Sequence, residues 1–239
     1  MGLTANKNKN IEIKTTSGIY LRGVIKTHFI SIGENYIDLM KQYVLPYYEE
    51  GDVLSISEKV ISLCQKRIVY KKDMRISLLA KILSGFASHS VSGTGVDNVW
   101  KMQFAIDHAG GLKILWASIC SGIGKLFGHH GIFYEIAGKE VSGLDGFYDK
   151  AFKEYGDFGI MLPSSPSDVC NEIYKKTGII SVIVDANDFA CDILGECDCT
   201  PYTDEQLKEI LRDNPSGQSD QLTPFVMIRK KDREVQCAE

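Results

Sequence analysis

The sequence has no hydrophobic run long enough to cross a bilayer. Its longest apolar stretches, at 114–120 and 179–184, fall well short of the roughly 20 residues that a membrane-spanning helix needs. The first ten residues are polar and lack the apolar run of a signal peptide. These absences predict a cytoplasmic protein with no membrane partner.

An excess of positive charge is also missing. The chain holds 27 Lys and Arg residues against 31 Asp and Glu residues, for a net charge of −4 at pH 7. Its basic residues are scattered along the sequence rather than clustered. Because clustered positive charge drives binding to nucleic acids and anionic surfaces, the composition predicts neither kind of partner.

The seven cysteines do not form a disulfide pattern. Their number is odd, and no secretory leader accompanies them. Cys191, Cys197 and Cys199 are close in sequence, but structural zinc sites use CxxC-type pairs with further ligands. Ordinary reduced thiols are therefore favoured over a zinc site.

Several catalytic motifs are absent. The segment at 122–125 (GIGK) lacks both the spacing and the final hydroxyl of the GxxxxGK[ST] phosphate loop. Neither GxSxG nor HExxH occurs. The sequence therefore excludes a P-loop nucleotide site, a hydrolase nucleophile elbow and a zincin-type metal site.

What is present predicts an α+β fold (mixed α/β). The 239 residues are 44% hydrophobic, which suffices for a substantial core. Strand and helix patterns alternate, with β-branched residues and turn residues at suitable spacing. We expect one domain over 11–239, or two subdomains made of 11–87 with 132–239 and of a glycine-rich insert at 88–131.

The last third of the chain has the clearest local pattern. A strand is predicted at 158–162, a helix at 166–176 that Gly178 ends, and a strand buried on both faces at 179–184. This order predicts a βα-type unit. In such units ligands bind beyond the carboxyl ends of the strands.

Acidic residues follow the last of these strands directly. The run at 184–188 (VDAND) contains two aspartates and one asparagine, and oxygen ligands of this kind suit magnesium or manganese. A helix cap or a turn explains the same residues equally well. The residues of this run alone leave a metal or phosphate site and a plain turn both open.

Two further segments could contribute to a site. Asp145 lies between glycines in the run at 141–146 (VSGLDG), and a small polar loop at 216–221 (SGQSDQ) precedes a strand. Such a loop can offer backbone N–H groups to a phosphate. Both segments are also typical of plain turns.

Five segments, in order, resemble the gamma-glutamyl ligases that extend the deazaflavin coenzyme F420 (the CofE family). The segment at 50–62 (EGDVLSISEKVIS) resembles that family's DGDVLVV segment and the K and S that follow it. The other similar segments are 28–35 (HFISIGEN), 159–163 (GIMLP), 182–185 (VIVD), and 217–220 with 224–229 (GQSD, PFVMIR). The similarity covers roughly residues 20–67 and 132–230.

The resemblance implies a homodimeric α+β ligase that uses GTP and Mg²⁺ or Mn²⁺ to join L-glutamate, or another amine, to a carboxylate substrate. By resemblance Asp145 and Asp185 would be the catalytic metal ligands, with Asn187 and Gln218 as further ligands. The nucleotide-binding residues that it implies are Thr27, His28, Phe29, Ile30, Glu58, Lys59, Ser216, Gly217, Gln218, Ser219, Asp220 and Gln221.

The sequence also departs from that family. Leu63 stands where the family has lysine, the sequence at 185–187 (DAN) replaces its SDT, and residues 88–131 do not resemble it. These departures indicate a diverged subfamily. Two other functions stay open: a non-catalytic nucleotide- or cofactor-binding protein, and a metal-dependent phosphohydrolase.

Overall fold

The computed structural model describes residues 4–87, 95–147, 155–187, 190–217 and 221–231. In this part of the chain nine α-helices accompany one six-stranded and one three-stranded sheet. The mixed composition confirms the predicted α+β class. Among the described residues, no helix has the length and hydropathy that crossing a membrane requires.

The chain divides into two compact units. The first combines residues 1–66 with 163–239, and the second is the intervening segment, residues 67–162. The glycine-rich segment 88–131 falls inside the second unit, which extends beyond it on both sides.

The first unit is built on a six-stranded sheet with the strand order β1-β2-β9-β3-β7-β8. Every neighbouring pair is antiparallel except β3 and β7, which run parallel with Ser57 opposite Val184. The strands are β1 (Glu12–Thr15), β2 (Gly18–Ile25), β3 (Val53–Ser57), β7 (Ile180–Ala186), β8 (Cys191–Glu196) and β9 (Phe225–Lys230).

Four helices of the first unit enclose this sheet. They are α1 (Tyr36–Leu39), which continues into a π-helical turn (Met40–Val44), α2 (Glu58–Cys64), α8 (Pro166–Thr177) and α9 (Asp204–Leu211). The core of α1, α2 and α8 includes Leu54, Ile56 and Ile183, whereas the core of α9 includes Val182 and Val184. Because neighbouring residues of a strand face opposite sides, β7 is buried on both faces, as predicted.

Local signals for helix ends are confirmed. Asn35 caps α1 by accepting a hydrogen bond from the N–H of Ile37 at 2.8 Å. Gly178 ends α8 with a φ of 75°, a left-handed conformation that glycine adopts without strain. Thr203 and Gln206 form a reciprocal capping box at the start of α9.

The predicted βα-type unit is wrong. The strand before α8, β6 (Phe158–Ile160), belongs to the three-stranded sheet, whereas the strand after it, β7, belongs to the six-stranded sheet. The parallel partner of β7 is β3, more than a hundred residues earlier in the chain. Strand pairing is decided by hydrogen-bond partners distant in sequence, which the local pattern does not contain.

The second unit packs five helices around its own core. Its sheet has the antiparallel order β4-β6-β5, with β4 at Ile68–Tyr70, β5 at Asp145–Gly146 and β6 at Phe158–Ile160. The helices are α3 (Leu78–Phe86), α4 (Val99–Ala109), α5 (Gly111–Leu126), α6 (Ile132–Ala137) and α7 (Lys139–Ser142). A short 3₁₀ turn (Lys71–Asp73) follows β4.

Two cysteines that are close in sequence lie in different cores. Cys191 packs with α9, and Cys197 packs in the core of α1, α2 and α8. The sheet separates the two side chains, so they do not form a common ligand set.

A buried ion pair joins β2 to the segment after α9. Arg22 is only 1% exposed. Its guanidinium donates to both carboxylate oxygens of Asp213 and to the carbonyls of Asn10 and Ile210. Burial alone would raise the pKa of Asp213, but the hydrogen bond and charge of Arg22 lower it below its ordinary value.

We expect Asp213→Asn to lower the free energy of unfolding at pH 7, because it leaves Arg22 buried without its counter-charge. Asp213 is 40% exposed, so solvent screening limits the loss to about 1–2 kcal/mol. The folded-state pKa of Asp213 is lowered, so its contribution is present above the unfolded value of ~3.9 and disappears as the pH falls through the folded value.

Urea unfolding of the wild type and of the Asp213→Asn variant between pH 7 and pH 3 measures this effect. Glu12→Gln is the control, because it removes an exposed pair with Lys231 and should leave the unfolding midpoint unchanged. If the Asp213→Asn variant were still less stable than the wild type by the same free energy at pH 3, the ion pair would not be the source of the difference.

Candidate functional site

Polar residues of four strands meet at one edge of the six-stranded sheet. At this edge β2, β3 and β7 end and β9 begins, as the pairs Ile25–Phe225, Ile56–Phe225 and Ser57–Val184 show. We call it the polar edge. It comprises the residues that follow or end β2, β3 and β7 (27–30, 58–59, 185–187) and the loop before β9 (214–217, 221–223).

The register places Glu58 and Asp185 side by side. Ser57 pairs with Val184 across the parallel strands, and each carboxylate is the next residue along its chain. Adjacent strands lie about 4.8 Å apart. Glu58 is buried at the start of α2, where the helix dipole favours a negative charge. Two acidic residues 127 positions apart in the sequence are thereby brought to neighbouring strand ends.

A hydrogen-bond network ties the loop before β9 to the residues after β2. The N–H of Thr27 donates to the carbonyl of Leu222 at 2.8 Å. The side-chain amide of Asn6 donates to the carbonyl of Ser216 at 3.0 Å and to the hydroxyl of Thr223 at 2.8 Å. Thr223 in turn donates to the carbonyl of Ser216. The predicted nucleotide residues Thr27 and Ser216 therefore belong to one bonded structure.

The turn at Gly217 needs glycine. Its φ is 79°, and a Cβ there would lie 2.8 Å from the side-chain carbonyl carbon of Gln221. Gly217 also donates its N–H to the carbonyl of Asn214, whose side chain donates back to the carbonyl of Gly217. The loop thus packs Gln221 closely against its own backbone. The predicted residues Gln218, Ser219 and Asp220 lie outside the described residues.

Asp185 faces a second carboxylate. It pairs directly with Asp192 across the antiparallel strands β7 and β8. Such partners share a face with Cβ atoms about 5 Å apart, and like charges there oppose pairing. Their charge is also felt by the neighbouring thiol: burial, then Asp192 and Asp185, raise the pKa of Cys191 to about 11.

Asn187 has a defined structural use. Its side-chain oxygen accepts the N–H of Ala190 at 3.0 Å, and its N–H donates to the carbonyl of Ala190 at 2.9 Å. One lone pair of this oxygen is therefore committed to the turn after β7. The neighbouring Asp188 lies outside the described residues.

The oxygen donors of the polar edge are of the type that magnesium and manganese prefer. Within the described residues, no three His, Cys, Asp or Glu side chains are placed to hold a metal ion among themselves. Mg²⁺ is usually bound by one or two carboxylates together with phosphate oxygens and water. Asp185 supplies a carboxylate of this kind.

The remaining predicted nucleotide residues after β2 differ in role. His28 bonds through Nδ1 to the hydroxyl of Tyr43 at 2.6 Å and through Nε2 to the carboxylate of Glu34 at 2.9 Å. Phe29 is 37% exposed, whereas Ile30 is buried in the core with α1 and α2. Only His28 and Phe29 of these three present side chains toward solvent.

A small cavity of about 230 Å³ includes Glu34, the partner of His28, in its wall. It is lined by Gly33, Glu34, Asn35, Tyr36, Ile37, Cys64, Glu172 and Lys176. Glu172 accepts hydrogen bonds from Tyr36 and Lys176. Burial and then Glu172 raise the pKa of Tyr36 to about 12, so the phenol remains a donor at neutral pH.

Sequence reasoning did not find this cavity. Its walls come from the turn before α1, the end of α2 and the middle of α8, and no local motif joins these segments. Asn35, the cap of α1, is a local signal for a helix end and not for a cavity.

Asp145 belongs to the second unit. Its carboxylate accepts the N–H of Gly146 at 3.0 Å in the short strand β5. The buried ammonium of Lys101 donates to the carbonyl of Leu144 at 2.6 Å, and so holds the chain just before Asp145. Asp185 lies in the first unit, and a cation shared by the two aspartates stays a prediction.

The cavity lined by Glu34 and Glu172 also contains the thiol of Cys64, which is protonated at neutral pH. Burial, followed by the charge of Glu34, raises the pKa of Cys64 to about 12. We expect Glu34→Gln to lower that pKa and to speed alkylation of Cys64 at pH 8 roughly twofold or more, because the thiolate is the reacting species.

Iodoacetamide labelling followed by peptide mass spectrometry over a pH series measures this rate. Glu172→Gln is the matched control, since Glu172 lines the same cavity but is not among the groups that shift the pKa of Cys64. Equal rates in the two variants would show that the charge of Glu34 does not control the thiol.

Comparison with known proteins adds no family. No family description matches the chain, and no curated protein matches it. The similarity to the gamma-glutamyl ligases therefore remains a prediction from the sequence.

Proposed function

We propose that the polar edge binds a nucleoside triphosphate with Mg²⁺ or Mn²⁺ and that the protein is an acid–amino-acid ligase of the gamma-glutamyl ligase type. GTP is the proposed co-substrate, and L-glutamate or another amine is the proposed acceptor. The supporting observation is the register of β3 and β7, which puts Glu58 and Asp185 beside the loop that bonds to Thr27. That convergence is what a phosphate–metal site requires.

The reaction has two steps. An oxygen of the substrate carboxylate attacks the γ-phosphorus of GTP, the bond to the bridging oxygen breaks, and GDP leaves. The amino group then attacks the resulting acyl phosphate, inorganic phosphate leaves, and the amine proton is lost to solvent. Positioning and neutralisation of charge supply most of the rate in phosphoryl transfer.

The chain's own residues have distinct tasks in this proposal. Asp185 would hold the divalent ion, with Asp145 as the second ligand that the resemblance implies, and the ion would neutralise charge on the phosphate oxygens. The loop at 214–217 and 221–223 lies against the nucleotide, positioned by Asn6 and Thr27. A homodimeric state and a cytoplasmic location belong to the same proposal.

Replacing Asp185 by Asn tests the metal role. We expect turnover to fall at least about a hundredfold, as for loss of a group that stabilises transition-state charge. Stability should stay the same or rise slightly, because the variant relieves like-charge opposition to Asp192. Measurements are GDP formation with Mn²⁺, GTP, L-glutamate and the F420 precursor, alongside thermal unfolding.

Asp38→Asn is the control, since Asp38 is an exposed aspartate of α1. Asp145→Asn should match Asp185→Asn, and the two changes should be non-additive for Mn²⁺ affinity, as groups sharing one ligand are. A loss of stability with unchanged turnover in Asp185→Asn would assign that residue a structural role instead.

A thermal-shift series separates nucleotides. At a GTP concentration a hundred times the dissociation constant, binding adds about 2.7 kcal/mol of stability. For a chain of this size that is a rise in Tm of roughly 5–10 °C. We expect GTP with Mn²⁺ to exceed both GTP alone and ATP with Mn²⁺.

Three outcomes separate the candidate functions. Amine-dependent release of phosphate supports the ligase. Binding without turnover supports a nucleotide sensor. One observation favours this alternative: Asn187 stands where the ligases have a hydroxyl, and its side-chain oxygen is used in a turn. No shift with any nucleotide would refute the proposed site.

A further inference from the structure

Helix α5 in the second unit is apolar on two sides. Ile114, Ala117 and Gly124 are buried on one side, and Ile114 and Ala117 pack into the core of that unit. The opposite side carries Leu112, Leu115, Trp116, Ile119, Ile123 and Leu126, all exposed. Spacings of three and four residues place these six on a single stripe. A helix that is apolar all round is normally covered on both sides.

Helix α3 continues the stripe. Leu78, Ile82 and Phe86 are exposed at spacings of four residues, and Phe127 is exposed directly after α5. The two helices touch, since a Cβ on Gly111 would lie 3.5 Å from a methyl of Leu79. We call these nine exposed side chains of α3 and α5, together with Phe127, the apolar face.

The apolar face is larger than ordinary surface variation produces. Phe86, Leu112 and Leu126 are 85%, 86% and 84% exposed. Large apolar side chains present roughly 150–250 Å² each when fully exposed, so the face presents on the order of 1,000 Å². Monomeric proteins rarely expose contiguous apolar patches of more than a few hundred Å². The face is therefore a contact surface.

The two helices that carry the apolar face bear charge of one sign. The charged residues of α3 and α5 are Lys81, Lys113 and Lys125, with no Asp or Glu in either helix. All three lysines are exposed, and the exposed His129 and His130 follow α5. The chain as a whole is acidic, with a net charge of −4. The charge carried by α3 and α5 is thus opposite in sign to that of the molecule.

This charge favours an anionic occupant over a second copy of the chain. A two-fold interface places the same surface on both sides, so it would bring one set of lysines toward another. An anionic bilayer attracts such lysines, and long lysine side chains reach the headgroups while their stems lie along apolar surface. Trp116 and the two phenylalanines suit the interface between headgroups and acyl chains.

We propose that the apolar face docks the protein on the surface of a bilayer that contains anionic lipids. At 16 residues, α5 is shorter than the roughly 20 residues that span a bilayer, so it lies in the plane of the interface. The expectation of no membrane partner came from the lack of a bilayer-spanning run and from charge summed over the whole sequence. The structure places three lysines and no Asp or Glu on the two helices that carry this apolar surface, and binding depends on that local arrangement.

Co-sedimentation of the full chain with vesicles tests the proposal. We expect partition into phosphatidylcholine vesicles that contain a quarter phosphatidylglycerol to exceed partition into pure phosphatidylcholine tenfold or more, at roughly 1 kcal/mol per lysine. In a Trp100→Phe background the emission of Trp116 should shift to the blue on binding. High salt should abolish the preference for phosphatidylglycerol, because it screens the charges.

Matched variants identify the surface. Leu112→Gln with Leu126→Gln should lower partition at least tenfold, and Lys113→Glu with Lys125→Glu should abolish the preference for phosphatidylglycerol. Leu45→Gln and Lys41→Glu change exposed residues of the first unit and should leave partition unchanged. Circular dichroism verifies that each variant is folded.

Three results would overturn the proposal. One is no binding to phosphatidylglycerol vesicles. Another is binding that the two leucine changes leave intact. The third is a dimer, detected by light scattering, that does not bind vesicles and that these leucine changes convert to monomers. This result would assign the face to a second copy of the chain.

Discussion

The parallel pairing of β3 with β7, flanked by the antiparallel β9, is the constraint on which the first unit depends. Because the two strands run in the same direction with Ser57 opposite Val184, their carboxyl ends finish together. The start of β9 is brought to the same edge by its pairing with β3. Glu58, Asp185 and the loop before β9 are therefore neighbours through backbone hydrogen bonds. A shift of one residue in this register would move every side chain of the shifted strand to the opposite face of the sheet.

The opposite edge of the same sheet is closed by an ion pair. Arg229 of β9 donates two hydrogen bonds to the buried Asp52 before β3, at 2.8 and 2.7 Å, and pairs with Glu49. The hydrogen bonds to Asp52 raise the pKa of Arg229 above its ordinary value. Charges at this edge are matched and hold strands together. At the polar edge, Asp185 and Asp192 oppose each other, which is the arrangement that a bound cation would stabilise.

The second unit relates to function through its surface. Its core buries one side of α5, the other side is apolar, and the charged residues of this helix are lysines. The polar edge belongs to the first unit and the apolar face to the second, and the two proposals come from separate observations. A protein with both would carry out amide formation at a lipid surface, and either property can be lost by substitution without the other.

Local sequence determined where many elements begin and end. Asn35 caps α1, Gly178 ends α8 and the apolar run before Asp185 forms a strand buried on both faces, because caps, positive φ and hydropathy act within a few residues. Only the tertiary structure decided which strands pair, and it corrected the βα-type unit before Asp185. It alone brought Glu58 beside Asp185 and assembled the cavity around Glu34 and Glu172.

The same division holds for the apolar face. The sequence shows that α5 is apolar, but apolarity predicts burial and does not say which side is buried. The side was decided when Ile114 and Ala117 packed into the core of the second unit and left Leu112 and Trp116 outside. Pairing and packing join residues far apart in the chain, and these partners are not encoded in any single stretch of sequence.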